Sequence, residues 1–293
     1  MNAPPAAMPA VLAGLSEVAD RFDDVLLDQY GVLHEGRAVY PAARDCVARL
    51  RAAGKRVMVI SNSGKRAAEN LKRLAMLGLP AEQYDGAMTS GEVAWQGLRR
   101  RDAALFAALG DRCFLISRGR DRSVVDGLGL DLVGDVDEAD FILLGGLDDA
   151  ASEPRQWEAE FRRAVERHVP VLCANPDLTM FGAQGLIPGP GALAQFYESL
   201  GGGVSYIGKP HPEIFAASLR VLGNPVPSRV LIVGDSVHHD IPGGRAAGLL
   251  TLLITGGVHK AALARANDLP AAVRGLGRSD HQIPHWAMPE LKW

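Results

Sequence analysis

The 293-residue sequence has little of what marks several common classes of protein. Its three cysteines, Cys46, Cys113 and Cys173, show no CxxC spacing and lie in apolar surroundings, so we expect buried thiols in a reducing compartment. The net charge is only -3 and the lysines and arginines are scattered, which leaves no basic surface for nucleic acid and no cationic helix for a membrane.

Long apolar runs are also missing. The segment MNAPPAAMPAVLAG at the N-terminus lacks a basic start and an uninterrupted apolar stretch, so neither a signal peptide nor a membrane span is predicted. We interpret this segment as a frayed tail and the protein as cytoplasmic.

The sequence does contain enough apolar residues, 47% of the chain, for a substantial core and two domains. Short β-branched or leucine-rich runs alternate with amphipathic stretches, which is typical of an α/β fold with a parallel sheet. The predicted strands are 24–28, 56–61, 86–89, 112–117, 140–145, 170–174, 204–207, 229–233 and 250–254. Helices are predicted over 41–53 and 65–77, ending at Gly54 and Gly78, and over 259–266.

Polar residues follow several of these strands. Asp28 ends the first strand and precedes a glycine-bearing turn, which makes it the best candidate for a nucleophile. Tyr30 stands where a second carboxylate would complete an acid/base pair. Ser61, Asn62 and Ser63 follow the second strand, where a hydroxyl and consecutive backbone N–H groups suit a phosphate oxygen. Simple helix capping by Ser61 or Ser63 is the alternative.

Two further endings lie late in the chain. Lys209 sits in a loop made rigid by Gly208 and Pro210, although a lone lysine in a loop is usually solvated. Asp235 and Asp240 follow the most apolar strand and suit a hard cation such as Mg²⁺, unless they only cap and charge a helix start. Because open α/β sheets bind ligands at the carboxyl ends of their strands, these endings predict one site.

The order and spacing of DQYGV, SNS, GKP and GDSVHHD resemble the haloacid dehalogenase (HAD) superfamily of phosphatases across nearly the whole chain. The long insert, the NPDLT segment and the GKPHPEIF run are similar to class IIA, whose large α/β cap occurs in sugar-phosphate, nucleotide and pyridoxal phosphate phosphatases. The resemblance implies a Rossmann-like, doubly wound parallel-sheet core from residues 1–104 and 204–293. It further implies an inserted α/β cap domain over 105–203 and a lean towards homodimers through that cap.

The resemblance also implies roles for individual residues. Asp28 would attack phosphorus and become an aspartyl-phosphate. Mg²⁺ would be held by Asp28, the backbone carbonyl of Tyr30 and Asp235, with Asp240 orienting a metal-bound water. The implied phosphate-binding and substrate-binding residues are Lys209, Ser61, Asn62, Ser63, Asn175 and Asp177, of which Asn175 could instead form an Asx turn.

Tyr30 leaves the acid/base half of this chemistry incomplete, because a phenol with a pKa near 10 rarely acts as a base at neutral pH. The sequence therefore predicts a slow, Mg²⁺-dependent phosphatase for a small phosphorylated metabolite, with a preference for good leaving groups. Two alternatives stay open. One is a catalytically silent protein that binds a phosphorylated ligand. The other is a metal-free 2-haloacid dehalogenase, whose DxYG start is similar, but Asp235 and Asp240 would crowd such a site with negative charge.

Overall fold

The computed structural model describes residues 8–183 and 185–293, and these residues form two compact units. The first unit contains residues 8–61, Leu71–Met88 and Phe215–Trp293. The second contains Asn62–Asn70 and Thr89–Ile214. The predicted insert 105–203 lies wholly within the second unit, and its boundaries stay a prediction.

The described strands, in chain order, are β1 (Ala10–Val11), β2 (Asp24–Asp28), β3 (Arg56–Ser61), β4 (Gly86–Thr89), β5 (Arg112–Ile116), β6 (Asp131–Leu132), β7 (Phe141–Leu144), β8 (Val171–Cys173), β9 (Thr179–Gly182), β10 (Gly185–Pro188), β11 (Val204–Tyr206), β12 (Val230–Gly234), β13 (Leu250–Ile254) and β14 (Trp286–Met288). The described α-helices are α1 (Pro41–Ala52), α2 (Ala67–Met76), α3 (Ser90–Arg100), α4 (Ala104–Ala107), α5 (Glu158–Glu166), α6 (Pro190–Ser199), α7 (Pro212–Val221), α8 (Asp240–Ala246), α9 (Lys260–Leu263) and α10 (Leu269–Leu276).

A seven-stranded sheet with the order β1-β14-β13-β12-β2-β3-β4 forms the centre of the first unit. The neighbouring strands from β1 across to β3 are all parallel. Strands β2 and β12 are apolar nearly throughout and buried, as expected of parallel strands that are covered on both faces. In the register of the sheet, Leu27 of β2 pairs with Val233 of β12, and Asp28 of β2 pairs with Ile60 of β3. Asp28 and the residues after Val233 therefore emerge at the same edge of the sheet.

The second unit is built on a separate parallel sheet with the order β11-β8-β7-β5-β6, together with the antiparallel hairpin β9–β10. The four residues of β7 are buried, and helices α5 and α6 contribute Phe161 and Tyr197 to the core. These two rings meet edge to face with centroids 4.9 Å apart, a favourable geometry for an aromatic pair. The second unit is thus an α/β layer structure with its own apolar core.

The predicted α/β class with parallel sheets is confirmed. Strands 24–28, 56–61, 86–89 and 250–254 have the predicted bounds, and the other predicted strands differ by one residue at one end or at both ends. The predicted helix 259–266 is wrong at its C-terminal end, because α9 stops at Leu263 and Asp268 then caps a second helix, α10.

The prediction of a frayed N-terminal tail is wrong from residue 10 onward, because β1 pairs with β14 at the sheet edge. Residues 1–7 lie outside the described residues. Among the residues that the structure does describe, no helix has both the length and the apolar character needed to cross a membrane.

Candidate active site

Three carboxylates meet at the carboxyl edge of the first unit's sheet. Asp28 ends β2, Asp235 follows β12 and Asp240 begins α8, and one oxygen of each lies within 4.8 Å of the others. Asp240 is 0% exposed and Asp235 is 7% exposed, whereas Asp28 is half-buried. Asp28 is therefore the carboxylate of this cluster that solvent reaches most easily.

Backbone groups hold the two buried carboxylates in place. The Val258 N–H donates to Asp235 Oδ2 at 2.8 Å, and the Ser236 N–H donates to Asp240 Oδ2 at 3.1 Å. Glycine allows this close approach: a Cβ atom on Gly31 would collide with the Asp235 carboxylate, and one on Gly234 would collide with Asp240. Gly31 also has φ +81°, which disfavours any other residue.

The chemistry of this cluster fits a hard divalent cation. Three carboxylates in so small and poorly solvated a space repel one another unless a proton or a cation offsets their charge. An all-oxygen donor set suits Mg²⁺, which keeps several of its waters and uses only one or two carboxylates directly. The structure thus brings together three of the residues that the sequence assigns to a metal.

Tyr30 lies in the turn after β2, and its side chain is used to hold that turn. Its hydroxyl donates to the Glu35 carbonyl at 2.7 Å, and its ring stands edge-on to the His34 ring with centroids 5.7 Å apart. Burial is the main cause that raises the pKa of Tyr30 above its usual value of 10. The phenol is therefore not a base at neutral pH, and its proton already has an acceptor.

His34, in the same turn, is a buried residue that sequence reasoning missed. It is 3% exposed, and burial lowers the pKa of its ring to about 4. The Gly36 N–H donates to Nδ1 at 3.1 Å, so the neutral ring carries its proton on Nε2, an atom with no hydrogen-bond partner among the described residues. The Nε2 of neighbouring Gln29 is likewise buried, and no residue in 8–183 or 185–293 forms a hydrogen bond with it. The only signal in the sequence is a histidine in an apolar turn.

Asn62 joins three segments in the second unit. Its Nδ2 donates to Asp177 Oδ1 at 2.8 Å and to the Lys209 carbonyl at 3.1 Å, and its Oδ1 accepts the Lys209 N–H at 2.7 Å. Lys209 is 2% exposed, so it is not the solvated loop lysine that its type alone suggests. A Cβ atom on Gly208 would collide with Ser90, which shows how tightly this loop is packed.

The other predicted ligand-binding residues have local hydrogen bonds. Asn175 Oδ1 accepts the Asp177 N–H at 3.1 Å, which is the Asx turn that the sequence allowed. Ser63 Oγ accepts the Lys65 N–H at 3.3 Å and an Asn70 side-chain N–H at 3.2 Å; because α2 begins at Ala67, neither of these bonds is the helix cap that the sequence allowed. Ser61 is the last residue of β3 and directly follows Ile60, the residue that pairs with Asp28.

Comparisons with known proteins agree with this fold. Residues 25–131 match the family model for haloacid dehalogenase-like hydrolases, and residues 206–275 match the HAD-hydrolase-like model. The chain belongs to the haloacid dehalogenase superfamily and, within it, to class IIA.

Three similar proteins illustrate the relationship. Chronophin of Mus musculus is 31% identical over 286 residues, which cover 95% of this chain and 94% of chronophin. A haloacid dehalogenase-like hydrolase of Brucella suis has a solved structure with 31% identity and a TM-score of 0.81, covering 96% of this chain and all of that one. A glycerol phosphate phosphatase of Mycobacterium tuberculosis, solved in complex with calcium, has 25% identity and a TM-score of 0.66, covering 87% of this chain and 76% of its own.

Proposed function

We propose that this protein is a Mg²⁺-dependent phosphoric monoester hydrolase that acts on a small phosphorylated metabolite. The observation that carries the proposal is the meeting of Asp28, Asp235 and Asp240 oxygens within 4.8 Å at the end of two neighbouring parallel strands. Membership of the superfamily supports it, as does the similarity to a phosphatase that was solved with a divalent cation.

The proposed reaction uses Asp28 as the nucleophile. One of its carboxylate oxygens forms a bond to phosphorus, while the bond from phosphorus to the ester oxygen breaks and that oxygen leaves as the alcohol after gaining a proton from water. A water molecule then attacks the aspartyl-phosphate, which releases inorganic phosphate and restores Asp28. Bound Mg²⁺ would offset the negative charges of the carboxylates and of the substrate, so that two anions can approach.

Lys209, Ser61 and the backbone amides after Ser61 are proposed to bind the phosphoryl oxygens. Burial of the Lys209 side chain and its loop's hydrogen bonds to Asn62 support a fixed rather than a solvated position. Asp177 is proposed as a substrate contact, supported by its bond to the same Asn62 side chain. Asn175 and the hydroxyl of Ser63 support this region through their local hydrogen bonds.

The proposed enzyme is slow and favours good leaving groups, because Tyr30 supplies no base. The hydrogen bond from its hydroxyl to the Glu35 carbonyl also favours the second candidate, a silent binder of phosphorylated ligands. The three clustered carboxylates favour either of these over a metal-free dehalogenase. Dimerisation through the cap stays a prediction. A cytoplasmic location also stays a prediction, which the three free cysteines support.

Phosphate release from 4-nitrophenyl phosphate and from a panel of phosphorylated metabolites tests the proposal. We expect release with Mg²⁺, none with a chelator, and none from Asp28→Asn, while Asp45→Asn on the exposed face of α1 behaves as wild type. Mass spectrometry of acid-quenched enzyme should find one phosphoryl group on the peptide that contains Asp28. Ligand-induced stabilisation without release would establish the silent binder instead, and chloride release from 2-chloropropionate in chelator would establish the dehalogenase.

A further inference from the structure

The second unit contains a cleft that shares no residue with the carboxylate cluster. Its volume is about 240 Å³, and its lining residues are Leu115, Ser117, Arg120, Arg122, Leu132 and Val133. These residues lie at the carboxyl ends of β5 and β6 and in the loop that follows β5. The cleft is therefore placed at the edge of the sheet where parallel α/β layers bind ligands.

The strand order shows which part of the sheet the cleft occupies. Strand β6 lies on one side of β5, and β7, the next strand in the chain, lies on the other side, followed outward by β8 and β11. The direction of strand addition thus reverses between β5 and β7, whereas the cleft is lined by residues of β5, of β6 and of the loop after β5. The cleft therefore lies beside this reversal and not at it, so the case for a ligand rests on the charge and the lining of the cleft.

The charge of the cleft is positive and uncompensated. Arg120 and Arg122 form no ion pair and no side-chain hydrogen bond with any residue in 8–183 or 185–293. Asp121 between them is bound to Lys65 at 2.9 Å and to Ser123 at 2.6 Å. The cleft lining contains no acidic side chain. Two guanidinium groups therefore border this cleft, and no acidic side chain of the described residues pairs with them.

The loop that carries both arginines is held from one side by acidic residues. Arg118 forms an ion pair with Asp149 at 2.8 Å, and the Gly119 N–H donates to Asp148 Oδ1 at 2.8 Å. These two bonds fix the start of the loop before a ligand arrives. A loop fixed in advance loses less conformational freedom on binding, which strengthens the affinity for a given set of contacts.

The remaining lining is apolar, apart from the Ser117 hydroxyl. Leu115, Leu132 and Val133 are half-buried and form a wall with room for a small apolar group. We propose that the cleft binds a small organic anion with an apolar body, such as an aromatic or branched aliphatic carboxylate or phosphonate. Arg120 and Arg122 contact the anionic group and the three aliphatic side chains contact the body.

The test follows the methyl NMR signals of Leu115, Leu132 and Val133 during titration with 4-fluorobenzoate and with phenylphosphonate, in chelator. We expect all three signals to shift and saturate in the wild-type protein. In Arg120→Gln/Arg122→Gln the affinity falls by about tenfold or more, because charge-assisted hydrogen bonds are lost. Benzyl alcohol has the apolar body but no charge. We expect its affinity for the wild-type protein to be no higher than the affinity of the double variant for the two anionic probes.

The matched control is Arg155→Gln/Arg162→Gln, which removes the same charge from two exposed arginines elsewhere in the second unit. We expect this control to bind both probes as the wild type does. The proposal is overturned if neither probe shifts the three methyl signals. It is equally overturned if the control variant loses as much affinity as the variant of Arg120 and Arg122, since the effect would then be general electrostatic attraction.

Discussion

Replacing Tyr30 with aspartate tests whether proton transfer is what this site lacks. The Tyr30 hydroxyl donates to the Glu35 carbonyl and its pKa is raised by burial, so the phenol neither accepts a proton at pH 7 nor has one to spare. An aspartate at this position can exchange a proton with the leaving oxygen and with water. General acid/base catalysis typically contributes about 10²–10⁴-fold, so we expect Tyr30→Asp to raise kcat for an alkyl phosphate by that order.

The same substitution weakens the turn after β2. It removes the hydrogen bond to the Glu35 carbonyl, worth about 0.5–1.5 kcal/mol, and the edge-on contact with His34, of similar size. We therefore expect the free energy of unfolding to fall by roughly 1–3 kcal/mol. Denaturant unfolding measures this loss, and activity is compared at a temperature where the variant is fully folded.

Two matched variants separate catalysis from structure. Tyr30→Asn loses the same contacts as Tyr30→Asp but has no group that exchanges a proton. Tyr30→Phe keeps the ring and loses only the hydroxyl. We measure kcat for glycerol 3-phosphate and for 4-nitrophenyl phosphate, whose leaving group needs little protonation. The reasoning fails if Tyr30→Asp is no faster than Tyr30→Asn with glycerol 3-phosphate. It also fails if Tyr30→Phe lowers kcat by about 10²–10⁴-fold, the loss expected on removing a catalytic acid.

Three other predictions follow from the same contacts. Gly31→Ala and Gly54→Ala both place a Cβ at positive φ, but only Gly31 faces a carboxylate. We expect Gly54→Ala to lower the free energy of unfolding by about 1–2 kcal/mol. In a thermal-shift assay, Gly54→Ala should still be stabilised by Mg²⁺, whereas Gly31→Ala should not. Asp235→Asn relieves repulsion, so we expect a higher melting temperature in chelator and a smaller increase on adding Mg²⁺; unchanged values would contradict the metal assignment. Burial, with Arg245 beside it, lowers the pKa of His285 to about 4. The folded state therefore binds the proton less readily than the unfolded state, so the free energy of unfolding is highest above pH 6.5 and falls as the pH falls towards 4. Unfolding free energies measured between pH 7 and pH 4 should therefore fall more steeply in the wild type than in His285→Gln.

The parts of the fold that could be predicted are those where one local pattern has one structural outcome. Strands β2, β3 and β13 are nearly continuous apolar runs, which in an alternating α/β sequence indicate strands buried on both faces. The meeting of Asp28, Asp235 and Asp240 was predictable for the same reason, because parallel strands bring their carboxyl ends to one edge.

The parts that escaped prediction depend on partners that are remote in sequence. Strand β1 has two residues and exists because β14 pairs with it, so no pattern within β1 reveals it. Asn62 has the residue type of a helix cap and of a phosphate ligand, and only the fold shows that it bonds Asp177 and Lys209. The acceptor of the Tyr30 hydroxyl is a backbone carbonyl, which carries no side-chain signal at all.

In the proposed enzyme, metal binding and turnover are separable properties, because different residues are proposed to determine them. Three carboxylates packed within 4.8 Å repel one another unless a proton or a cation offsets their charge, and this holds whether or not a substrate is ever hydrolysed. The side chain of Tyr30, by contrast, affects only the proton that must move between the leaving oxygen and water, since its implied contribution to the metal comes from the backbone. A slow phosphatase and a silent binder would therefore share the same dependence on Mg²⁺ and differ only in phosphate release. For this reason the comparison of Tyr30→Asp with Tyr30→Asn distinguishes catalytic models that metal-binding measurements alone cannot.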